Sequence, residues 1–184
     1  MTGAERPGIL LDRDGTIILD HGYVGSVDRV DFIEGAPEAI AAFNRAGVPV
    51  AVVTNQAGVA RGFYGIEDVE LVHKFIAERL AEQDAHVDLF VYCPYHPAGL
   101  VSAFARASED RKPRPGMAKA AAAALGLDLP ASWVVGDRPE DMGLAEAIGA
   151  SAVFLGSGDC PWPGARSFPS LAAATPFILE RVAV

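Results

Sequence analysis

Short apolar runs recur along the chain: "GILL" (8–11), "VPVAVVT" (48–54), "HVDLFVY" (86–92), "SWVVG" (132–136) and "ASAVFL" (150–155). Most are continuous rather than alternating, the pattern of strands covered on both faces. The stretches between them have helical ends and stripes. Residues 37–46 open on Pro37 and stop at Gly47, as a first turn and a C′ position favour. Residues 66–83 carry Val69, Val72, Phe75, Ile76 and Leu80 on one face, with His73 expected to be partly solvated. Residues 116–125 are alanine-rich and end at Gly126, residues 139–148 run from proline to Gly149, and a last helix is expected near 170–182.

Alternating strands and helices predict an α/β fold: a Rossmann-like three-layer sandwich with a mostly parallel central sheet and right-handed crossovers. One domain spanning 1–184 is expected, without a large cap domain. Two segments fit no element. Residues 18–34 read as a short hairpin or flap, and 93–115 as an irregular loop; loops of that length in compact domains tend to carry function. Ligands of such sheets bind at the carboxyl ends of the strands, where Asp12, Thr54 and Asp137 fall.

Composition narrows the classes. The formal net charge is −9, which argues against nucleic acid or an anionic membrane as the main partner. The longest apolar stretches fall short of the roughly 20 residues a membrane helix needs. There is no secretory leader pattern, and two cysteines make no disulfide framework. A cytoplasmic, monomeric protein acting on a small metabolite is the simplest expectation.

Four segments carry chemistry: Asp12-Arg13-Asp14-Gly15-Thr16, Thr54-Asn55-Gln56, Arg111-Lys112-Pro113 and Gly136-Asp137-Arg138-Pro139-Glu140-Asp141. Each has an ordinary explanation alone. Asp and Gly favour turns, Thr54 could end a strand, Lys112 could be a solvated cation, and acids favour helix starts. Taken together they supply what phosphate monoester hydrolysis requires. A carboxylate can attack phosphorus and divide one hard step into two. A second carboxyl can protonate the leaving oxygen and then deprotonate water. Lysine and an oxygen-loving cation such as Mg²⁺ screen the repulsion between anions.

These residues resemble the haloacid dehalogenase superfamily of phosphatases: "DRDGT" its first motif, Thr54 its second, Lys112 its third and "GDRPED" its fourth. The resemblance spans roughly residues 9–155. Within it, "GYV", "TNQAGVARG", "CPYHP", "RKPRPGM" and "VGDRPEDM" are similar to the D-glycero-D-manno-heptose 1,7-bisphosphate phosphatases and the related histidinol-phosphate phosphatases. The resemblance implies Asp12 as nucleophile, Asp14 as general acid and base, and Thr54 and Lys112 as holders of the transferring phosphoryl group. It implies Mg²⁺ on Asp12, the backbone carbonyl of Asp14, and Asp137, with Asp141 placing Lys112 or the metal's waters. Arg111 is the first candidate for the remote part of the substrate, and Asn55, Gln56, Arg61 and Arg138 are further ones.

Many members also hold a structural zinc on Cys-x-His and a later Cys-x-Cys. Here Cys93 is kept, but Tyr95, Ser108 and Asp110 occupy the other positions. No zinc is expected, since a tetrahedral site needs four ligands; Cys93, His96 and Asp110 are a remnant set at most. Cys160 reads as a loop residue, and Trp162 as packing at the edge of the core. Three other functions compete. A histidinol-phosphate phosphatase would use the same chemistry, a polynucleotide phosphatase would want a basic stripe, and a non-catalytic phosphate-binding module would lack turnover.

Overall fold

The computed structural model describes residues 5–157 and 162–182; Cys160 lies outside them. Six parallel strands form one sheet: β1 (Ile9–Leu11), β2 (Val50–Asn55), β3 (Leu89–Cys93), β4 (Trp133–Gly136), β5 (Ser151–Leu155) and β6 (Arg166–Phe168), in the order β3-β2-β1-β4-β5-β6. Ile9 of β1 faces Val50 on one side and Trp133 on the other, so β1 is central. The strand order reverses there, which opens a crevice beyond the carboxyl ends of β1 and β4.

Side-chain alternation explains why the apolar runs are continuous. Ile9, Leu11, Val50 and Val52 point to one face, where they pack with α1 (Ala36–Arg45), α3 (Ile66–Ala81) and α6 (Leu171–Leu179) through Ile40, Phe43, Val72, Ile76 and Ile178. Leu10, Ala51, Val53 and Val134 point to the other, against α4 (Gly116–Leu125) and α5 (Pro139–Ile148) through Met117, Ala121, Leu144 and Ala145. Each fully buried leucine or isoleucine contributes about 1.5–3 kcal/mol relative to exposure. α4 and α5 end at Gly126 and Gly149, whose φ values of 67° and 71° lie in the left-handed region a glycine enters without strain.

Several expectations needed correction. β6 and the short helix α2 (Gly58–Arg61) were not anticipated, being only 3 and 4 residues long, too brief for a period to register. β3 begins at Leu89 rather than residue 86, because the Asp88 carboxylate accepts the Val50 N–H at 2.8 Å. α3 stops at Ala81, before Asp84 turns the chain with φ 54°. α6 starts after Ser170, whose hydroxyl accepts the Ala173 N–H at 3.2 Å. His73 is buried, only 6% exposed, because β3 brings Phe90 and Tyr92 against its ring.

The two irregular segments are held by specific contacts. In 18–34, Ile18 bridges Phe32 antiparallel and residues Val27–Arg29 make a 3-10 turn. In 93–115, the Arg106 guanidinium lies 4.1 Å from the Tyr95 ring centre, and the Leu100 and Val101 N–H groups both donate to the Ala60 carbonyl. Trp162 lines a groove between β5 and α6 with Trp133 and Phe177. Among the described residues no helix is long and apolar enough to cross a membrane.

Candidate active site

The carboxyl ends of β1, β2 and β4 open into a cleft of about 330 Å³, lined by Asp12, Asp14, Thr54, Asn55, Gln56, Arg61, Arg111, Lys112, Arg138 and Asp141 among others. Nearly every sequence-derived candidate meets here. Asp137 stands just behind: the nearest carboxylate oxygens of Asp12, Asp137 and Asp141 lie within 4.8 Å of one another.

Asp12 continues β1, its N–H donating to the Val135 carbonyl at 2.9 Å. Its Oδ1 accepts from the Arg13 N–H at 2.7 Å and faces Lys112 Nζ at 2.9 Å. Its Oδ2 takes no hydrogen bond from the described residues. One oxygen is thereby fixed and the other is not.

Lys112 is buried and charged. Its Nζ donates to the Val53 carbonyl at 2.7 Å and to Asp141 Oδ1 at 2.6 Å. Burial alone would lower this ammonium, but the Asp12 and Asp141 carboxylates overcome it and hold the group above its ordinary value. Asn55 pins the lysine's backbone, accepting the Lys112 N–H at 3.0 Å and donating to its carbonyl at 3.2 Å. Asp141 does two jobs. Oδ1 takes the lysine, while Oδ2 accepts the Arg138 N–H at 3.1 Å and caps α5. Burial lifts its carboxyl above the usual range, with Lys112 pulling the other way.

Asp14 is held differently. Arg13 donates Nε to its Oδ2 and Nη2 to its Oδ1, both at 3.0 Å, and Gln56 Nε2 donates to Oδ2 at 2.9 Å. Burial raises this carboxyl, the Arg13 guanidinium opposes that, and nearby Asp12 adds to it. Gln56 also donates to Thr54 Oγ1 at 2.9 Å and accepts from Arg13 and Tyr64. Its amide is therefore fully engaged within the protein, where a free substrate contact had been expected.

The basic residues of the cleft differ. Arg138 is paired, its Nη2 lying 2.6 Å from Asp20. Arg61 and Arg111 have no ion pair among the described residues; Arg61 lies 5.7 Å from the Tyr23 ring centre, and Arg111 reaches only the Tyr95 carbonyl at 3.5 Å.

The carboxylate group fits a hard divalent cation. Asp137 Oδ1 is buried without a hydrogen-bond partner among the described residues, and burial together with Asp12 pushes the Asp137 carboxyl up to about 6. Such a site wants positive charge. Gly15 follows the second aspartate for a steric reason: its φ is 80°, and a Cβ would overlap the Asp137 carboxylate. At the expected zinc remnant, the Cys93 thiol is raised by burial and donates to the Tyr95 carbonyl, Ser108 and Asp110 bond each other, and His96 Nδ1 accepts the Ala98 N–H.

Sequence reading passed over two residues here. Arg13 is fully buried between the aspartates it separates, and Tyr64 reaches the site from the turn before α3. The only signal for Tyr64 was glycine at 25 and 58, which gives its ring room.

A parallel sheet with a half-engaged carboxylate, a buried lysine and an acidic group that fits a cation, all at its switch point, is the arrangement a phosphoryl-transferring hydrolase needs. Comparison with known proteins makes this specific. The family model "HAD-hyrolase-like" matches residues 110–172. The D-glycero-beta-D-manno-heptose-1,7-bisphosphate 7-phosphatase of Escherichia coli (strain K12) is 43% identical over 149 residues, 81% of this chain and 78% of the relative. The enzyme of that name from Rhodopseudomonas palustris is 40% identical over 144 residues, 78% of this chain and 80% of its own. The D,D-heptose 1,7-bisphosphate phosphatase of B. bronchiseptica, solved with magnesium and phosphate, superposes with a TM-score of 0.83 at 29% identity, covering 95% of this chain and 98% of its own. The chain belongs to the haloacid dehalogenase-type phosphatase family of these relatives and is a phosphoric monoester hydrolase.

Proposed function

We propose that the chain hydrolyses D-glycero-D-manno-heptose 1,7-bisphosphate, or a closely similar phosphorylated sugar, with Mg²⁺ and through an aspartyl-phosphate on Asp12. The observation that carries this reading is the pairing of Asp12 Oδ1 with Lys112 Nζ at 2.9 Å, while Oδ2 takes no hydrogen bond from the described residues. The substrate follows from the relatives' names and from the two guanidiniums, Arg61 and Arg111, that line the cleft without an ion pair. A bisphosphate presents a second anion for them. Histidinol phosphate, with a cationic remote end, would prefer carboxylates. Of the acids at the cleft mouth, Asp20 is already occupied by Arg138.

In this mechanism Asp12 Oδ2 attacks phosphorus, and a P–O bond forms as the bond to the sugar oxygen breaks. Asp14 delivers its proton to that oxygen. Water then attacks the phosphoaspartate, Asp14 takes a proton from it, and Asp12 and inorganic phosphate are released. Lys112 and Thr54 hold the phosphoryl oxygens. Asp12, Asp137 and the Asp14 backbone carbonyl would hold Mg²⁺, which when bound would supply charge that screens the approach of anion to anion.

Phosphate release by wild type and Asp12→Asn, with and without Mg²⁺, tests the proposal. Turnover should require Mg²⁺ and fall by more than about a thousandfold in the variant. A rate the variant preserves would overturn it. A specificity constant for histidinol phosphate above that for the heptose bisphosphate would move the assignment to the second substrate.

A further inference from the structure

We propose that Tyr64 is a positioning residue for Asp14, acting through the side-chain amide of Gln56. The inference rests on the reading above, in which Asp14 protonates the leaving oxygen. Gln56 is 2% exposed and lies between two kinds of partner. Its Oε1 accepts from Tyr64 OH at 2.8 Å and from Arg13 Nη2 at 3.0 Å. Its Nε2 donates to Asp14 Oδ2 and Thr54 Oγ1, both at 2.9 Å.

This arrangement has one sense only. Rotating the amide by half a turn would set its carbonyl against the Asp14 carboxylate and its NH₂ against the Arg13 guanidinium. Tyr64 and Arg13 together hold the Gln56 oxygen, which leaves its NH₂ facing the acid. Of these two, only Tyr64 comes from outside the catalytic motifs. The same orientation decides the role of Thr54. Having accepted from Gln56, the hydroxyl keeps its own proton for an incoming phosphoryl oxygen.

Tyr64 is itself well placed. A Cβ at Gly25, in the 18–34 segment, or at Gly58, at the start of α2, would overlap its ring. Burial pushes its hydroxyl up to about 12, so it stays protonated and available as a donor. The chain from Tyr64 OH through Gln56 to Asp14 thus ties a ring gripped by the flap to the carboxyl that must meet the substrate's bridging oxygen. Loss of the hydroxyl should leave the fold in place and loosen that carboxyl.

The test uses leaving groups, because a general acid matters in proportion to the basicity of the oxygen it protonates. With Mg²⁺ present, kcat/KM is measured for a sugar phosphate, whose alkoxide needs a proton, and for p-nitrophenyl phosphate, whose phenolate hardly does. Both values read the reaction up to the phosphoaspartate. Tyr64→Phe should lower the sugar value about three- to tenfold and the aryl value by less than about twofold. In a Gln56→Leu background, Tyr64→Phe should add nothing further. If the Phe variant folds poorly, Gln56→Leu alone must lower the sugar value by more than the aryl value, since it removes the bond to Asp14 as well as the bond to Thr54 that serves both substrates. Equal losses on both substrates, or full additivity in the Gln56→Leu background, would overturn the assignment of Tyr64 while leaving Asp12-dependent turnover intact. Turnover that survives Asp12→Asn would instead remove the underlying reading, and this inference with it.

Discussion

Individual residues at the site are held in states that suit chemistry better than stability. Asp137 is the plainest case: a half-buried carboxyl, pushed up to about 6 by burial and by Asp12, with one oxygen unpartnered. A carboxyl whose native value lies above its unfolded value costs stability at every pH above the native one. Asp137→Asn removes that cost, so at pH 7.5 in EDTA the variant should resist urea better than wild type by about 1–2 kcal/mol. The same variant should lose turnover and the stabilisation that Mg²⁺ brings. An equal or lower urea midpoint would mean that the acidic group is not strained. Asp141 shows why such residues are hard to classify from sequence alone. An acid at a helix start reads equally well as a cap or as the partner of a buried cation, and this one is both, one oxygen on the Arg138 N–H and the other on Lys112.

At the scale of elements, α3 and β3 enclose a histidine in apolar surroundings. His73 stacks on Phe90 at 4.8 Å with its Nε2 unpartnered, and burial, aided by the charge on Arg13, lowers it to about 3. The unfolded ring titrates near 6.5. Between these values the unfolded state holds a proton that the native state lacks, so stability rises with pH and levels off above the upper value. His73 should thus cost roughly 1.4 kcal/mol for each pH unit below about 6. Urea unfolding at pH 7, 6 and 5 checks this: the stability of His73→Leu relative to wild type should increase as pH falls, and a constant difference would refute it. The same elements mark what could be read from the chain. α4 and α5 were legible to the residue, since Gly126 and Pro139 punctuate strong patterns. His73 was misjudged because one helix viewed alone does not reveal that two rings of β3 cover it. β6 has 3 residues and no alternation to detect.

For the molecule as a whole, the sheet divides the labour. The groups of the cleft come from the β1, β2 and β4 ends, from the 18–34 segment, from α2 and the turn after it, and from the segment after β3, while β5, β6 and α6 contribute no group to it. Phe177 of α6 ties that far side together, edge-on to Trp133 at 5.7 Å and beside Phe168 at 5.3 Å, with the Arg181 guanidinium 3.9 Å from its ring centre. Phe177→Ala should lower stability by roughly 2–3 kcal/mol and leave kcat at 25 °C within about twofold; a large loss of kcat without unfolding would contradict that division. The gathering of four distant motifs was foreseeable, because each lies where an apolar run stops and a parallel sheet sends all such points to one edge. The Arg13–Gln56–Tyr64 contacts were not, since they depend on side chains meeting across 43 and 8 positions of chain. Lys112 has its own lesson. Its ammonium closes onto the carbonyl of Val53 in β2, yet the residue hangs from the least regular stretch of the protein. What joins it to the sheet is Asn55, whose side chain bonds the Lys112 N–H and carbonyl. Were the contacts of Asn55 with the Lys112 backbone lost first, turnover would cease with the sheet intact.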